Sequence, residues 1–160
     1  MCKACPFDIN TFTGWCVLTS MLLRDYPGEN VSYQRLIRTE KHPTLENTVI
    51  LRSAFYDGYD VYITFNPEDP ANPLVTMDKD QVLCDEASVL VWVLGDNHIL
   101  GAHSYYNPSY FNACQAFVEL WIEVYIENLG EPIGTIGHFY NILEWISDEE
   151  AERLQREEGM

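Results

Sequence analysis

Apolar residues along the first third of the chain recur at spacings of three and four. Val17, Leu18, Met21 and Leu22 predict a helix over 14–25, stopped by Tyr26-Pro27-Gly28. Ser32 is a suitable N-cap for a second helix through Tyr33, Leu36 and Ile37. A third is expected from Thr44, with Leu45, Val49, Leu51, Ala54 and Phe55 on its apolar face and Asp57-Gly58 at its end. The pattern changes at Tyr59, where the β-branched and aromatic run 59–65 reads as a strand closed by a Pro- and Asn-rich loop. A short helical turn is expected near 78–81. The uninterrupted apolar run 88–94 predicts a central strand, and after the turn Gly95-Asp96-Asn97 a second strand, 98–105, returns beside it. A long helix is expected over 109–128, then a break at Leu129-Gly130-Glu131-Pro132, and a last helix near 136–146 with a charged tail. Helices, then a small antiparallel sheet, then helices make an α+β pattern. No repeat or linker divides it, so the chain reads as one domain, 1–160.

Charge changes the picture because it is unevenly spread. Residues 1–56 carry five acidic and six basic side chains, a net of +1, whereas the remainder holds twenty acids against Lys79, Arg153 and Arg156. No Lys or Arg stands between Lys79 and Arg153. The total is −16. Such a field repels nucleic acid and anionic membranes and attracts basic partners. Cysteine usage adds a second bound: Cys2, Cys5, Cys16, Cys84 and Cys114 are odd in number and widely spaced, with no signal peptide ahead of them, which fits a reducing cytoplasm with no disulfide needed. Cys2 and Cys5 lack the second pair that a structural zinc site requires, so neither metal nor cofactor is expected. No apolar run reaches the length of a membrane span.

Candidate chemistry centres on Cys16. At the first turn of the expected helix, unpaired N–H groups and the macrodipole favour a thiolate, although a lone cysteine also serves as a small buried hydrophobe. Thiol catalysis needs an imidazole partner. His98 opens a strand directly after a turn; His103, five residues on, falls on the opposite face of a regular strand; His42 lies in a loop and His138 in a helical region.

Cys16 heading a helix, Met21-Leu22-Leu23-Arg24 before a break, Val31-Ser32-Tyr33-Gln34-Arg35-Leu36-Ile37, and Thr44-Leu45-Glu46 opening a helix that ends at Asp57-Gly58-Tyr59-Asp60-Val61 together resemble the papain-like superfamily. More narrowly, the chain is similar to the bacteriocin-leader-processing cysteine peptidases. The resemblance covers 10–108 and leaves 109–160 as a C-terminal helical extension. It implies N-terminal helices packed on a small antiparallel sheet, with Cys16 as nucleophile and His98 as base. Asn10 stands at the spacing where that superfamily has an oxyanion-hole glutamine, and Asn107 is the nearest match to the third residue, earlier than the family spacing. His103-Ser104-Tyr105-Tyr106-Asn107 echoes the ovarian-tumour-type thiol peptidases, which makes His103 the alternative base. The implied activity is acyl transfer from a peptide or isopeptide bond, with loss of activity also compatible with the altered oxyanion and third residues.

The competing reading starts from charge. Glu119, Glu123 and Glu127 recur every four residues, which on a helix places carboxylates about 6 Å apart per step, comparable to nucleic-acid phosphates. A non-enzymatic acidic inhibitor, either a nucleic-acid mimic or a toxin-immunity protein, would use such a face against a basic protein surface. The same glutamates also suit the solvated side of a helix whose core side is Phe117, Leu120, Trp121, Val124 and Tyr125. Tyr105, Tyr106, Tyr110 and Phe111 suit a cleft or an interface, and Trp92 and Trp121 are expected in the core.

Overall fold

The computed structural model describes residues 5–24, 31–56, 58–69, 73–78, 81–84, 97–103, 108–128 and 131–160. A 3-10 helix, Ile9–Phe12, is followed by β1 (Gly14–Arg24), β2 (Val31–Lys41), β3 (Thr48–Tyr56), β4 (Tyr59–Asn66), β5 (Leu74–Thr76), β6 (Gln81–Cys84), β7 (Asn97–His103), β8 (Ser109–Asn112), β9 (Phe117–Asn128) and β10 (Glu131–Ile146). One helix, α1 (Asp148–Glu158), ends the described chain. The expected α+β papain-like arrangement is therefore corrected: the described residues form a closed antiparallel barrel of eight strands with one C-terminal α-helix. The strands expected over 59–65 and from residue 98 are β4 and β7. The strand expected over 88–94 lies outside the described residues.

The five helices expected over 14–25, 32–37, 44–55, 109–128 and 136–146 are instead strands, for one physical reason. In β9 the fully buried residues are Val118, Leu120 and Ile122, while Glu119, Trp121 and Glu123 between them are only partly covered. That is a period of two. Glutamates four residues apart satisfy this period as well as a helical one, because four is twice two and close to 3.6. The discriminating signal was composition, since Val, Trp, Ile, Val, Tyr and Ile in one run favour a pleated surface. In β1, likewise, Cys16, Leu18 and Ser20 are buried to 0 % while Met21 is 42 % exposed. In β10, Asn141, Leu143 and Trp145 face inward and Glu144 is exposed.

Ring closure runs β10-β1-β2-β3-β4-β5-β8-β9, with β9 pairing back onto β10. A strand has only two edges, so β8 and β7 must share the edge of β9 that β10 leaves open. β8 takes residues 117–119 and β7 takes residues 122–128. At the changeover, the Trp121 N–H donates to the buried Ser109 Oγ at 2.9 Å. β4 shows the same device. β5 pairs with Thr64, Phe65 and Asn66, and beyond it the Gln81 amide from β6 closes the wall, accepting from the Tyr62 N–H at 2.8 Å and donating to the Tyr62 carbonyl at 2.9 Å. Buried backbone groups without partners are costly, and these two side chains supply partners where the strand ladders change over.

The core lies toward the end of the barrel formed by the start of β1 and the end of β10. Phe12 meets Phe65 at 4.5 Å between ring centroids and Trp145 edge-on at 5.2 Å, with Phe7 and Phe111 packed around them. This aromatic floor plugs that end. The Trp145 indole N–H is satisfied by Thr39 Oγ1 at 2.9 Å, and the Thr39 hydroxyl donates in turn to the Gly14 carbonyl. A disulfide between Cys5 and Cys114 ties the segment before the 3-10 helix to the β8–β9 turn. It corrects the expectation of a chain without disulfides. The charged tail is itself helical: Ser147 caps α1 by accepting from the Glu150 N–H, Asp148, Glu149 and Glu150 occupy the first turn, and Gly159 ends it in the left-handed region.

Candidate functional site

Cys16 lies in β1, between Trp145 of β10 and Ile37 of β2, and its side chain is fully buried behind the aromatic floor. The residues expected to place a helix N-terminus at its thiol form a strand instead. The thiol donates weakly to the Val17 carbonyl at 3.7 Å. Burial pushes its pKa well above the usual thiol range, a backbone hydrogen bond from Glu144 opposes this, and the Glu144 charge adds to it. The sulfur is held neutral and sealed from solvent, which is the environment of a structural cysteine.

Neither His98 nor His103 is brought to Cys16. His98 is opposite Glu127, and Glu127 is opposite Pro132, whereas Cys16 is opposite Trp145. Positions 132 and 145 of β10 are roughly 40 Å apart along the strand. His103, opposite Ile122 and through it Phe139, is roughly 20 Å from that level by the same measure. Asn10 sits exposed in the 3-10 helix, where its N–H donates to the Asp8 carboxylate. Asn107 lies outside the described residues. Among the described residues no group of three or more His, Cys, Asp or Glu side chains is placed to hold a metal. No helix among them is long and apolar enough to cross a membrane.

A half-open cleft of about 430 Å³ lies beside the disulfide, lined chiefly by Pro6, Phe7, Pro67, Pro73, Phe111 and Ala113. Its lining offers no acid, base or nucleophile. Phe111, expected at a cleft or interface, lines this cleft while packing among the floor rings.

A different set of side chains is gathered on the outer wall. The alternation that sends Val118, Leu120 and Ile122 inward places Glu119, Trp121 and Glu123 outward. Register then builds rows across the wall. Tyr110 of β8 is opposite Glu119, which is opposite Ile142 of β10; Trp121 is opposite Tyr140, which is opposite Met21 of β1. The Trp121 and Tyr140 rings contact at 4.6 Å with their planes tilted by 46°. Tyr110 and Met21 flank them at 39 % and 42 % exposure. Burial first, and then the charge and hydrogen bonding of Glu119, raise the Tyr140 phenol. Trp121, expected in the core, is thus on the outside, and the signal that would have placed it there is its alternation with Val118, Leu120 and Ile122.

The protein is a closed antiparallel β-barrel with a plugged floor and an aromatic, carboxylate-bearing outer wall. It belongs to the family described as Domain of unknown function (DUF4984), whose model matches residues 1–157. No curated protein and no solved structure matches the chain.

Proposed function

We propose that the chain is a non-catalytic binding protein whose acidic outer wall engages a basic segment of a partner protein. The observation that carries this reading is the placement of Glu119, Trp121 and Glu123 on one outward face of β9, in a chain of net charge −16. Charge of one sign accelerates encounter with the opposite sign and rejects like-charged surfaces, and aromatic side chains supply the contact area that charge alone lacks. The strand geometry also narrows the reading. Carboxylates four residues apart on a strand are about 13 Å apart rather than the helical 6 Å, so the match to phosphate spacing is lost and mimicry of nucleic acid loses its support. A basic protein surface does not require that spacing. The Cys5–Cys114 disulfide supports an oxidising compartment rather than the reducing one expected from cysteine count. The thiol-hydrolase reading finds no observation of this kind in its favour, because Cys16 is sealed in the wall and His98 is opposite Glu127, far along the strand.

The test is fluorescence anisotropy with a labelled peptide containing both Lys and Arg. Wild-type protein should bind it at about 0.03 M salt and weaken steeply by about 0.3 M, as the screening length shortens. The variant Glu119→Lys/Glu123→Lys/Glu144→Lys should lose at least about tenfold in affinity. Affinity that survives both the salt and the charge reversal rules out the outer wall as the binding face.

A further inference from the structure

The two ends of the Cys5–Cys114 disulfide are held by different means. Cys114 belongs to the β8–β9 turn, where Asn112 Oδ1 accepts from the Cys114 and Gln115 N–H groups at 3.0 Å each and the Ala116 carbonyl accepts from the Trp145 N–H. These bonds anchor the turn independently of the disulfide. Cys5 belongs to the short arm before the 3-10 helix, and that helix is fixed from Asp8 onward, which accepts from the Asn10 and Thr11 N–H groups. Between Cys5 and Asp8, Pro6 is exposed and has no N–H to donate, and Phe7 is half-buried. The Phe7 ring lies 5.4 Å from Phe111, 5.5 Å from Phe65 and 6.0 Å from Phe12 between centroids, so the arm carries one ring of the aromatic floor.

Both cysteines of the bridge are exposed, and both line the half-open cleft of about 430 Å³. Cys16, sealed behind the floor, is the opposite case. A disulfide opens when a thiolate reaches one of its sulfurs, so access decides its reactivity, and exposed bridges are the labile ones. We propose that the cleft is the entry site for a dithiol reductant and that Cys5–Cys114 is a reducible latch on the aromatic floor. A thiolate of the reductant attacks one sulfur of the bridge; the S–S bond breaks, a mixed disulfide forms and the other cysteine leaves as a thiolate. The second thiolate of the reductant then attacks the reductant's own sulfur in the mixed disulfide, which closes the oxidised reductant and expels the second cysteine. Two electrons pass from the reductant to the bridge, and the two protons its thiols release are returned by water to the two cysteines. The turn keeps Cys114 in place, while the freed arm carries Phe7 out of the floor and widens the cleft toward Phe65 and Phe111.

Dithiothreitol is the probe, with iodoacetamide trapping and mass spectrometry at Cys5 and Cys114. In the native protein reduction should be first order in dithiothreitol and within about tenfold of its rate in urea-unfolded protein. A rate slower by about 10³-fold or more would mean that the bridge opens only with the whole barrel, and the entry site would be refuted. Hydrogen exchange of the reduced, trapped protein reads the latch. Its reporter is the Phe111 N–H, which donates to the Pro73 carbonyl in the cleft wall at 3.0 Å. Exchange there should rise about tenfold, with Leu120 and Ile122 as protected as before and Cys16 unmodified. Protection lost throughout the barrel would make the bridge a staple of the whole fold, and unchanged exchange at Phe111 would show that the arm stays docked; either result overturns the latch. Phe7→Ala with the bridge intact separates the ring from the crosslink. It should raise exchange at Phe111 as reduction does, and no rise there overturns Phe7 as the element released.

Discussion

The two faces of β9 share one backbone and carry opposite chemistry. Inward, Val118, Leu120 and Ile122 are fully buried; outward, Glu119, Trp121 and Glu123 remain partly open to solvent. The inner residues are tied into the same core as Phe12, Phe65 and Trp145, so changing them alters the stability of the whole barrel. The outer residues are only partly covered, so on the proposed reading changing them should alter recognition and leave the fold standing. On the proposed reading, a strand separates stability from binding at the resolution of one residue, where a helix would grade one into the other around its circumference.

Truncation at the core is the severest way to test that separation. Phe12→Ala and Leu120→Ala should each cost about 3–5 kcal/mol in urea denaturation, with peptide affinity per folded molecule unchanged. Next, replacing both Cys5 and Cys114 by Ala should cost about 2–5 kcal/mol by the same assay, because the crosslink closes a loop spanning 109 positions of the chain. Gln81→Leu should follow, at about 1–3 kcal/mol for each of the two Tyr62 backbone groups it leaves without a partner. It should also raise hydrogen exchange at the Tyr62 amide. At the other extreme, Glu119→Lys with Glu123→Lys should change stability by no more than about 0.5 kcal/mol while lowering peptide affinity several-fold. A large loss of stability in that variant would show that the outer face is structural.

The smallest effect is a titration. Because burial holds the Cys16 thiol above its ordinary value, the unfolded chain ionises first as pH rises, and unfolding then gains what the folded state cannot. The contribution is fully present below the unfolded pKa and lost above about pH 9, as pH climbs toward the folded value. Cys16→Ala should flatten that alkaline arm of the stability curve. Iodoacetamide should leave Cys16 of the native protein unmodified until the barrel unfolds.

Some of this organisation was legible in the sequence. The β-branched and aromatic run at β4 announced a strand, and the absence of Lys and Arg from 80–152 announced an acidic face. The helices failed where two periods coincide. In β1, Val17, Leu18, Met21 and Leu22 satisfy a helical spacing, yet Cys16, Leu18 and Ser20 turn inward together, and the weak signal was the run of Trp, Cys, Val and Thr that favours a pleated surface. Trp121 was mistaken for core because a helix would have set it beside Leu120. Once the segment is a strand, the two residues point to opposite sides of the wall. The case for Cys16 as a nucleophile depends on a helix beginning there, and β1 removes that helix. The Cys5–Cys114 bridge could not be foreseen from spacing, since its partners meet through closure of the barrel rather than through proximity in sequence.

On the proposed function, recognition belongs to the outer face of β9 and β10. A titration of isotope-labelled protein with an Arg-containing basic peptide, followed amide by amide by nuclear magnetic resonance, tests it most directly. Saturable shifts are expected at Glu119, Trp121, Glu123 and Tyr140, with Cys16 and the Phe12 floor unmoved. Shifts centred on Asn10 and Cys16, with β9 silent, would contradict it.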